Sequence, residues 1–187
     1  NIEKPQPKVG AFFLPFPKTL TMHKPLLFVY FMLLTAFANA QCDGTRFREF
    51  TFANIDVTEN ITYGNNTKYD GSSLDLLMDV YQPSDDAMES RPLVILAHGG
   101  FFLYGSKDGP DVIILAADLA RMGYVTACVN YRLGLAANGN LEASMTESVM
   151  RGVQDVKAAV RWFRANADGA NDYHIDPNQI YVAGVSA

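Results

Sequence analysis

Apolar and polar residues follow two different periods along the chain, and together they predict alternating strands and helices. Strict alternation over Ile55–Tyr63 predicts a half-buried edge strand. A turn signal at residues 63–66 and a second run at Leu74–Tyr81 complete a predicted hairpin. The runs Pro92–Ala97 and Tyr124–Asn130 are almost continuously apolar, which is typical of strands buried on both faces of a parallel sheet.

Two helices are predicted between these strands. The first has Pro110 and Asp111 in its opening turn and Gly123 at its close. The second is predicted to start at a capping box formed by Ser144 and Glu147. The side chains expected on its buried face recur at steps of three and four: Val149, Val153, Val156, Val160, Phe163 and Ala167.

The second helix is expected to end at Asp168-Gly169, and a turn at residues 176–178 leads into a last strand, Gln179–Ala183. Strands that alternate with helices form βαβ units and a largely parallel sheet, with ligands bound outside the carboxyl ends of the strands. Both His98 and Ser186 directly follow a predicted strand. We therefore expect these two residues at the same edge of the sheet.

The segment Gly184-Val185-Ser186-Ala187 has the spacing of a nucleophile elbow, in which a serine occupies a sharp turn between a strand and a helix. The closing glycine of a G-x-S-x-G motif would be residue 188, beyond the sequence. Acyl transfer to a serine also needs donors for the developing oxyanion. Two glycines after His98 allow the tight backbone of such a hole, so we expect its amides to come from Gly99, Gly100, Phe101 and Ala187.

No residue of the sequence is a credible base for the serine. In the order serine, acid, histidine, the base follows the nucleophile, so His98 is expected to brace the oxyanion loop instead. His174 precedes the last strand and is expected at the opposite end of the sheet. The carboxylates of Asp155 and Asp176 are interpreted as surface or capping groups, which leaves the acid unassigned as well.

Composition narrows the possible functions further. The chain has 187 residues, 49% apolar and 19% charged, as in a globular domain, and its net charge of -5 without a basic stripe argues against a nucleic-acid partner. Neither a metal-ligand constellation nor a phosphate-binding loop is found, so no metal or cofactor is expected. The disulfide state of Cys42 and Cys128 is left open, although Cys128 in its apolar run is expected to be a small buried hydrophobe.

The amino-terminal region has the pattern of a signal peptide at Met22–Ala40, with Lys24 near its start and small residues at its end. Its apolar stretch of about 13 residues is shorter than the roughly 20 that span a membrane, so cleavage without a stable membrane anchor is expected. We expect residues 1–21 to lie outside the fold, residues 41–187 to form the domain, and the protein to be secreted or periplasmic.

Several segments together resemble secreted α/β-hydrolase carboxylesterases of the lipase/esterase type. They are Leu76–Pro83, Pro92–Phe102, Gly123–Gly134, Asp155–Ala167 and Asp176–Ala187, in the order and spacing of that family. The resemblance implies an α/β-hydrolase fold, incomplete here, with the N-terminal half of a mostly parallel eight-stranded sheet flanked by helices.

The same resemblance implies a serine carboxylesterase that acts through an acyl-serine intermediate, with Ser186 as nucleophile and the loop after His98 as oxyanion hole. The substrate would be a small-molecule or carbohydrate-linked ester. The family's acid and histidine fall on no residue here, so this chain alone is expected to be inactive. Phe101 stands where many relatives have a glycine and is expected to narrow the pocket. A serine peptidase of the same fold and a non-catalytic binding domain are the alternatives.

Overall fold

The structure, a computed structural model, describes residues 44–136 and 139–186. The expectations for residues 1–21, for the signal peptide at Met22–Ala40, for Cys42 and for Ala187 therefore lie outside the described residues.

Five strands and two helices follow one another in the described chain. They are β1 (Ile55–Thr67), β2 (Ser73–Pro83), β3 (Arg91–Ala97), α1 (Pro110–Arg121), β4 (Val125–Val129), α2 (Leu141–Asp168) and β5 (Ile175–Gly184). The strands form one sheet in the order β1-β2-β4-β3-β5. The pairs β3–β4 and β3–β5 are parallel, whereas β1–β2 and β2–β4 are antiparallel.

The hairpin of β1 and β2 forms as predicted, but its turn lies later in the chain. The residues 63–66, expected in the turn, belong to β1, where Gly64 pairs with Leu76 and Tyr63 is only 5% exposed. The chain reverses instead at Lys68, whose N–H donates to the Ser72 carbonyl at 2.8 Å. Burial of the Tyr63 ring holds the backbone in the ladder and overrides the local turn preference of the Gly-Asn pair that follows it.

The sheet is covered by one helix on each face, and two apolar clusters fill the spaces between them. On one face, Ala159 and Phe163 of α2 pack with Leu93, Ile95 and other strand residues. On the other face, the buried residues of α1 pack against the opposite sides of the same strands; they are Val112, Ala116 and Ala120. Strands β3 and β4 are thus buried on both faces, as their continuous apolar runs predict.

Helix α2 begins earlier than predicted. The predicted face is confirmed in its carboxyl-terminal half, where Phe163 is buried and Val156, Val160 and Ala167 pack against the core, but its amino-terminal half buries other residues. Its cap is Asn140, whose side chain accepts the N–H of Ala143 at 3.1 Å. The buried residues are Ser144, Ser148, Gly152, Asp155, Ala159 and Phe163, whereas Val149 and Val153 are 41% and 45% exposed. Serine is small and glycine has no side chain, so the amino-terminal half of α2 can lie close against the rest of the fold, and these two valines lie on its flank.

The last strand begins earlier than predicted. Strand β5 starts at Ile175, and its pairing with β3 is irregular where Asp176 accepts the N–H of Asn178 at 2.8 Å. The turn predicted at residues 176–178 therefore appears as an interruption of β5, and Asp176 has the capping role expected of it.

Cys128 is a buried free thiol, and burial raises its pKa to about 12. Within residues 44–136 and 139–186, no helix is long and apolar enough to cross a membrane.

Candidate active site

Ser186 lies directly after the carboxyl end of β5 in a strained backbone conformation. The strand ends at Gly184, and Val185 makes a last hydrogen bond from its N–H to the carbonyl of Ala97 on β3, at 3.1 Å. Ser186 then has a φ of 61°, in the left-handed region that residues with a side chain seldom adopt. This abrupt change of direction is what a nucleophile elbow requires.

The glycine loop after β3 lies against this serine. A Cβ atom at Gly99 would be 2.6 Å from the Val185 carbonyl oxygen and 3.1 Å from the Ser186 Cβ. Only a residue without a side chain allows so close an approach of the two backbones. Ser186 and Gly99 are therefore neighbours at the carboxyl edge of the sheet.

Three consecutive residues of this loop have positive φ angles: 125° at Gly100, 54° at Phe101 and 60° at Phe102. A Cβ at Gly100 would be 2.1 Å from the Tyr104 carbonyl oxygen, so glycine is required there as well. Non-glycine residues in this region are costly and persist only where their surroundings hold them. The surrounding structure therefore holds this loop in its strained conformation.

The amides of this loop differ in their partners. Gly99 donates its N–H to Asp111 Oδ2 in the first turn of α1, at 3.3 Å. The N–H groups of Gly100 and Phe101 have no hydrogen-bond partner among the described residues. Two unpaired backbone donors in a loop that contacts a serine are what an oxyanion hole requires. Of the expected donors, Gly99 is occupied by Asp111, and Ala187 is not among the described residues.

His98 lies at the start of the loop, where neighbouring residues hold its side chain and its backbone. Its side chain stacks on Tyr131 with ring centroids 4.4 Å apart, and the Tyr131 hydroxyl donates to the His98 carbonyl at 2.7 Å. The imidazole Nδ1 lies 2.8 Å from the Gly99 carbonyl oxygen, while Nε2 is buried and has no partner among the described residues. No hydrogen bond therefore joins this imidazole to Ser186.

A mostly apolar cavity of about 370 Å³ opens beside the serine. Its lining includes Ser186, His98, Phe102, Tyr131, Val153 and Val156. The Phe102 ring meets Tyr131 edge-on at 5.8 Å between centroids. Phe101 is 62% exposed and does not line this cavity. Of the two adjacent phenylalanines, Phe102 and not Phe101 lines this cavity.

A buried lysine lies at the far end of the loop, and no local sequence pattern predicts its burial. Lys107 is 4% exposed, and its Nζ lies 2.8 Å from Asp79 Oδ2 on β2 and 2.7 Å from Asp108 Oδ1. Its backbone N–H donates to the Asn130 side chain at 2.6 Å. Burial alone would lower the pKa of Lys107, but hydrogen bonds to Asp108 and Asp79 outweigh it, so the pKa is raised. The cation therefore stays charged inside the protein.

Asp155 and His174 both lie away from Ser186, one inside the fold and one at the other end of the sheet. Asp155 is fully buried, and its Oδ2 lies 2.8 Å from the Nε of Arg132, so its interpretation as a surface or capping group is wrong. Gly152 three positions before Asp155 and Ala159 four positions after it are also buried, so the carboxylate lies on the buried face of α2. His174 precedes β5 and pairs with Glu89 at 2.9 Å, at the end of the sheet opposite Ser186. Within the described part of the chain, no group of three possible metal ligands is found.

Comparison with known proteins places the chain in a family. The sequence model of the BD-FAE family matches residues 78–187, and the chain belongs to that family. Esterase LipC of Mycobacterium tuberculosis is 32% identical over 111 residues, which are 59% of this chain and 24% of that protein. Carboxylesterase 3B of Mus musculus is 33% identical over 116 residues, 60% of this chain and 19% of that protein.

Among solved structures, the propionate-bound esterase Est2 of Thermogutta terrifontis aligns with a TM-score of 0.50 and 26% identity. The alignment covers 67% of this chain and 40% of that one. The fold is that of the α/β hydrolases, as the sequence predicts. The chain thus spans less than half the length of the relatives that it matches.

Proposed function

We propose that this protein is a carboxylic-ester hydrolase in which Ser186 forms an acyl-enzyme intermediate. The observation that carries the proposal is the contact between the strained Ser186 and Gly99, with the unpaired N–H groups of Gly100 and Phe101 in the same loop. Esterases among the matched relatives support the same reaction class.

In this mechanism the Ser186 hydroxyl oxygen attacks the carbonyl carbon of the ester while a base removes its proton. The carbonyl oxygen becomes an oxyanion, which the amides of Gly100 and Phe101 stabilise. The tetrahedral intermediate collapses to acyl-Ser186, and the alcohol leaves with a proton. Water then attacks the acyl group, the bond to the Ser186 oxygen breaks, and the carboxylic acid leaves while the serine hydroxyl is restored. His98 braces the loop in this scheme and takes no proton.

Neither described histidine serves as the base in this proposal, because His98 is held by its own loop and His174 lies at the other end of the sheet. We propose that the acid and the base lie outside this sequence and that the 187-residue chain does not turn over esters. The proposal also includes export through the segment Met22–Ala40. Mass spectrometry of the exported protein should find Gln41 at its amino terminus.

Labelling with a fluorophosphonate probe tests the nucleophile. The protein made from the complete natural transcript should be labelled, its Ser186→Ala variant should not, and the Ser73→Ala variant, which alters an exposed serine on β2, should be labelled as the wild type. The 187-residue chain should hydrolyse no p-nitrophenyl acetate above background. Probe attachment elsewhere, or none to the longer protein, would refute the acyl-serine proposal and favour the non-catalytic binding domain.

The substrate class follows from a second experiment with the same longer protein. Small-molecule esters and acetylated or feruloylated carbohydrates are offered beside peptide substrates of matched size. We expect turnover of esters and none of peptides. Faster hydrolysis of the peptides would contradict the esterase proposal and support a serine peptidase of the same fold.

A further inference from the structure

The loop after β3 returns to the sheet through residues 103–107, which we call the return limb. Contacts of this return limb extend to the proposed site. Leu103 and Tyr104 donate their N–H groups to the Gly100 carbonyl at 2.9 Å and 3.2 Å. At Gly105 a Cβ would be 2.5 Å from the Gly99 carbonyl oxygen and 2.4 Å from His98 Nδ1. The limb therefore packs against the start of the loop two residues before Lys107.

The ion pair of Lys107 ties this limb to a distant part of the sheet. The loop follows β3, whereas Asp79 belongs to β2, and β4 lies between the two strands. The Lys107 N–H is held in addition by Asn130, directly after β4. Both side chains of the ion pair are about 5% exposed, so solvent screens them little.

The buried ion pair of Lys107 and Asp79 is not explained by stability alone. Taking two charges out of water is costly, and apolar side chains of similar size in their place are often neutral or stabilising. An ion pair does constrain geometry, because the buried ammonium must remain beside the carboxylate. The loop needs that constraint, since Phe101 and Phe102 both hold positive φ angles that the chain would otherwise relax.

We propose that Lys107 is a positioning residue whose ion pair with Asp79 holds the return limb of the loop against His98 and Gly99. It thereby fixes the unpaired amides of Gly100 and Phe101 relative to Ser186. The part about catalysis rests on the proposed ester hydrolysis. The part about the position of the loop does not, so the two parts are tested by separate measurements.

The test replaces the whole pair, because loss of one partner would leave a buried charge. The double variant Asp79→Leu with Lys107→Met is compared with the wild type. The N–H of Asn60, which also donates to Asp79, lies on the exposed edge strand, where water can replace the carboxylate. The control is Lys68→Met, which breaks an exposed lysine–aspartate pair with a 3.6 Å separation.

Amide hydrogen exchange reports the position of the loop without any chemistry. In the double variant we expect the amides of Leu103 and Tyr104 to exchange at least about tenfold faster, while those of Val125–Val129 and the melting temperature stay as in the wild type. Equal exchange in variant and wild type would overturn the proposal. An equal rise in the strand amides would overturn it too, because the pair would then be a general stabiliser.

Fluorophosphonate labelling of the longer protein reports the effect on the serine. We expect the maximal labelling rate to fall on the order of 10- to 100-fold in the double variant, with the probe concentration for half-maximal rate unchanged. Labelling at the wild-type rate by a variant with a loosened loop would overturn the catalytic part. No labelling of the wild type would refute the esterase proposal and leave the exchange result to decide the position of the loop.

A second variant guards against loss of folding. If the apolar pair does not fold, Asp79→Asn with Lys107→Met is measured in the same way, since the amide keeps an acceptor for the N–H of Asn60. Failure of both to fold would overturn the proposal, because the ion pair would then be required for the fold itself.

Discussion

Arg132 and Asp155 form a buried ion pair that joins the segment after β4 to the middle of α2. The Asp155 Oδ2 accepts both the Arg132 backbone N–H at 2.9 Å and its Nε at 2.8 Å. The same guanidinium donates to the Thr67 carbonyl at the end of β1, at 2.9 Å. One arginine therefore links three elements on the α2 side of the sheet.

Replacement of Asp155 by alanine should lower the free energy of unfolding by about 3–5 kcal/mol, because it leaves the Arg132 charge buried without its partner. Urea denaturation measures the difference. Asp168→Ala changes an exposed carboxylate on the same helix and should cost much less. A small loss from Asp155→Ala would mean that water reaches the guanidinium.

The aromatic core under α2 provides a second test of stability. Phe163 is fully buried and meets Trp162 and Tyr173 at 5.1 Å and 6.0 Å between ring centroids. Truncation to alanine should cost about 3–5 kcal/mol, since a cavity remains. Val149→Ala, on the exposed flank of the same helix, should change stability by no more than about 0.5 kcal/mol. Thermal and chemical unfolding of both variants would show whether the buried face is the one described.

Asp86 should make stability depend on acidity. Burial alone would raise its pKa, but hydrogen bonds from Arg46 and Met88 and the charge of Arg91 outweigh burial, so the pKa lies below the ordinary 3.8. A carboxyl whose pKa is depressed by folding stabilises the native state above its unfolded pKa, and the stabilisation is lost as the pH falls through the folded value. Between about pH 5 and pH 2 the wild type should therefore lose more stability than Asp86→Asn. Parallel curves for the two proteins would contradict this.

Alanine at Gly99 tests the close approach between loop and serine. Its methyl group would meet the Val185 carbonyl oxygen at 2.6 Å, so the loop and the elbow must separate. On the proposed function, labelling of Ser186 in the longer protein should fall on the order of 100-fold. Gly64→Ala is the matched control, because a methyl group there would lie 3.6 Å from Leu76 Cδ1, an ordinary contact. Equal labelling of the two variants would show that the contact does not matter to the serine.

The strands and their order along the chain could be predicted because continuous apolar runs have few alternatives to burial on both faces. The neighbourhood of Gly99 and Ser186 followed from the same logic, since parallel strands bring their carboxyl ends to one edge. The buried face of α2 was harder to predict in the amino-terminal half of the helix, where Val149 and Val153 are exposed. Valine is more apolar than serine or glycine, and the period alone does not show where a helix must approach its neighbours closely.

The charged residues inside the fold were not predictable from local sequence. The partner of Asp155 is Arg132, 23 positions away, and that of Lys107 is Asp79, 28 positions away. A single charged residue in a loop or on a helix is usually solvated, so its burial becomes visible only when the partner is placed beside it.

The pairing of β5 with β3 determines when the serine reaches its neighbours during synthesis. Arg91 at the start of β3 binds the carbonyl of Tyr173, 82 positions later, and both central strands and both helices must be made before that contact closes. Closing so long a loop is slow compared with forming the local hairpin of β1 and β2. The glycine loop is therefore translated well before the serine, and the hydroxyl meets its prospective amide donors only after β5 has been made.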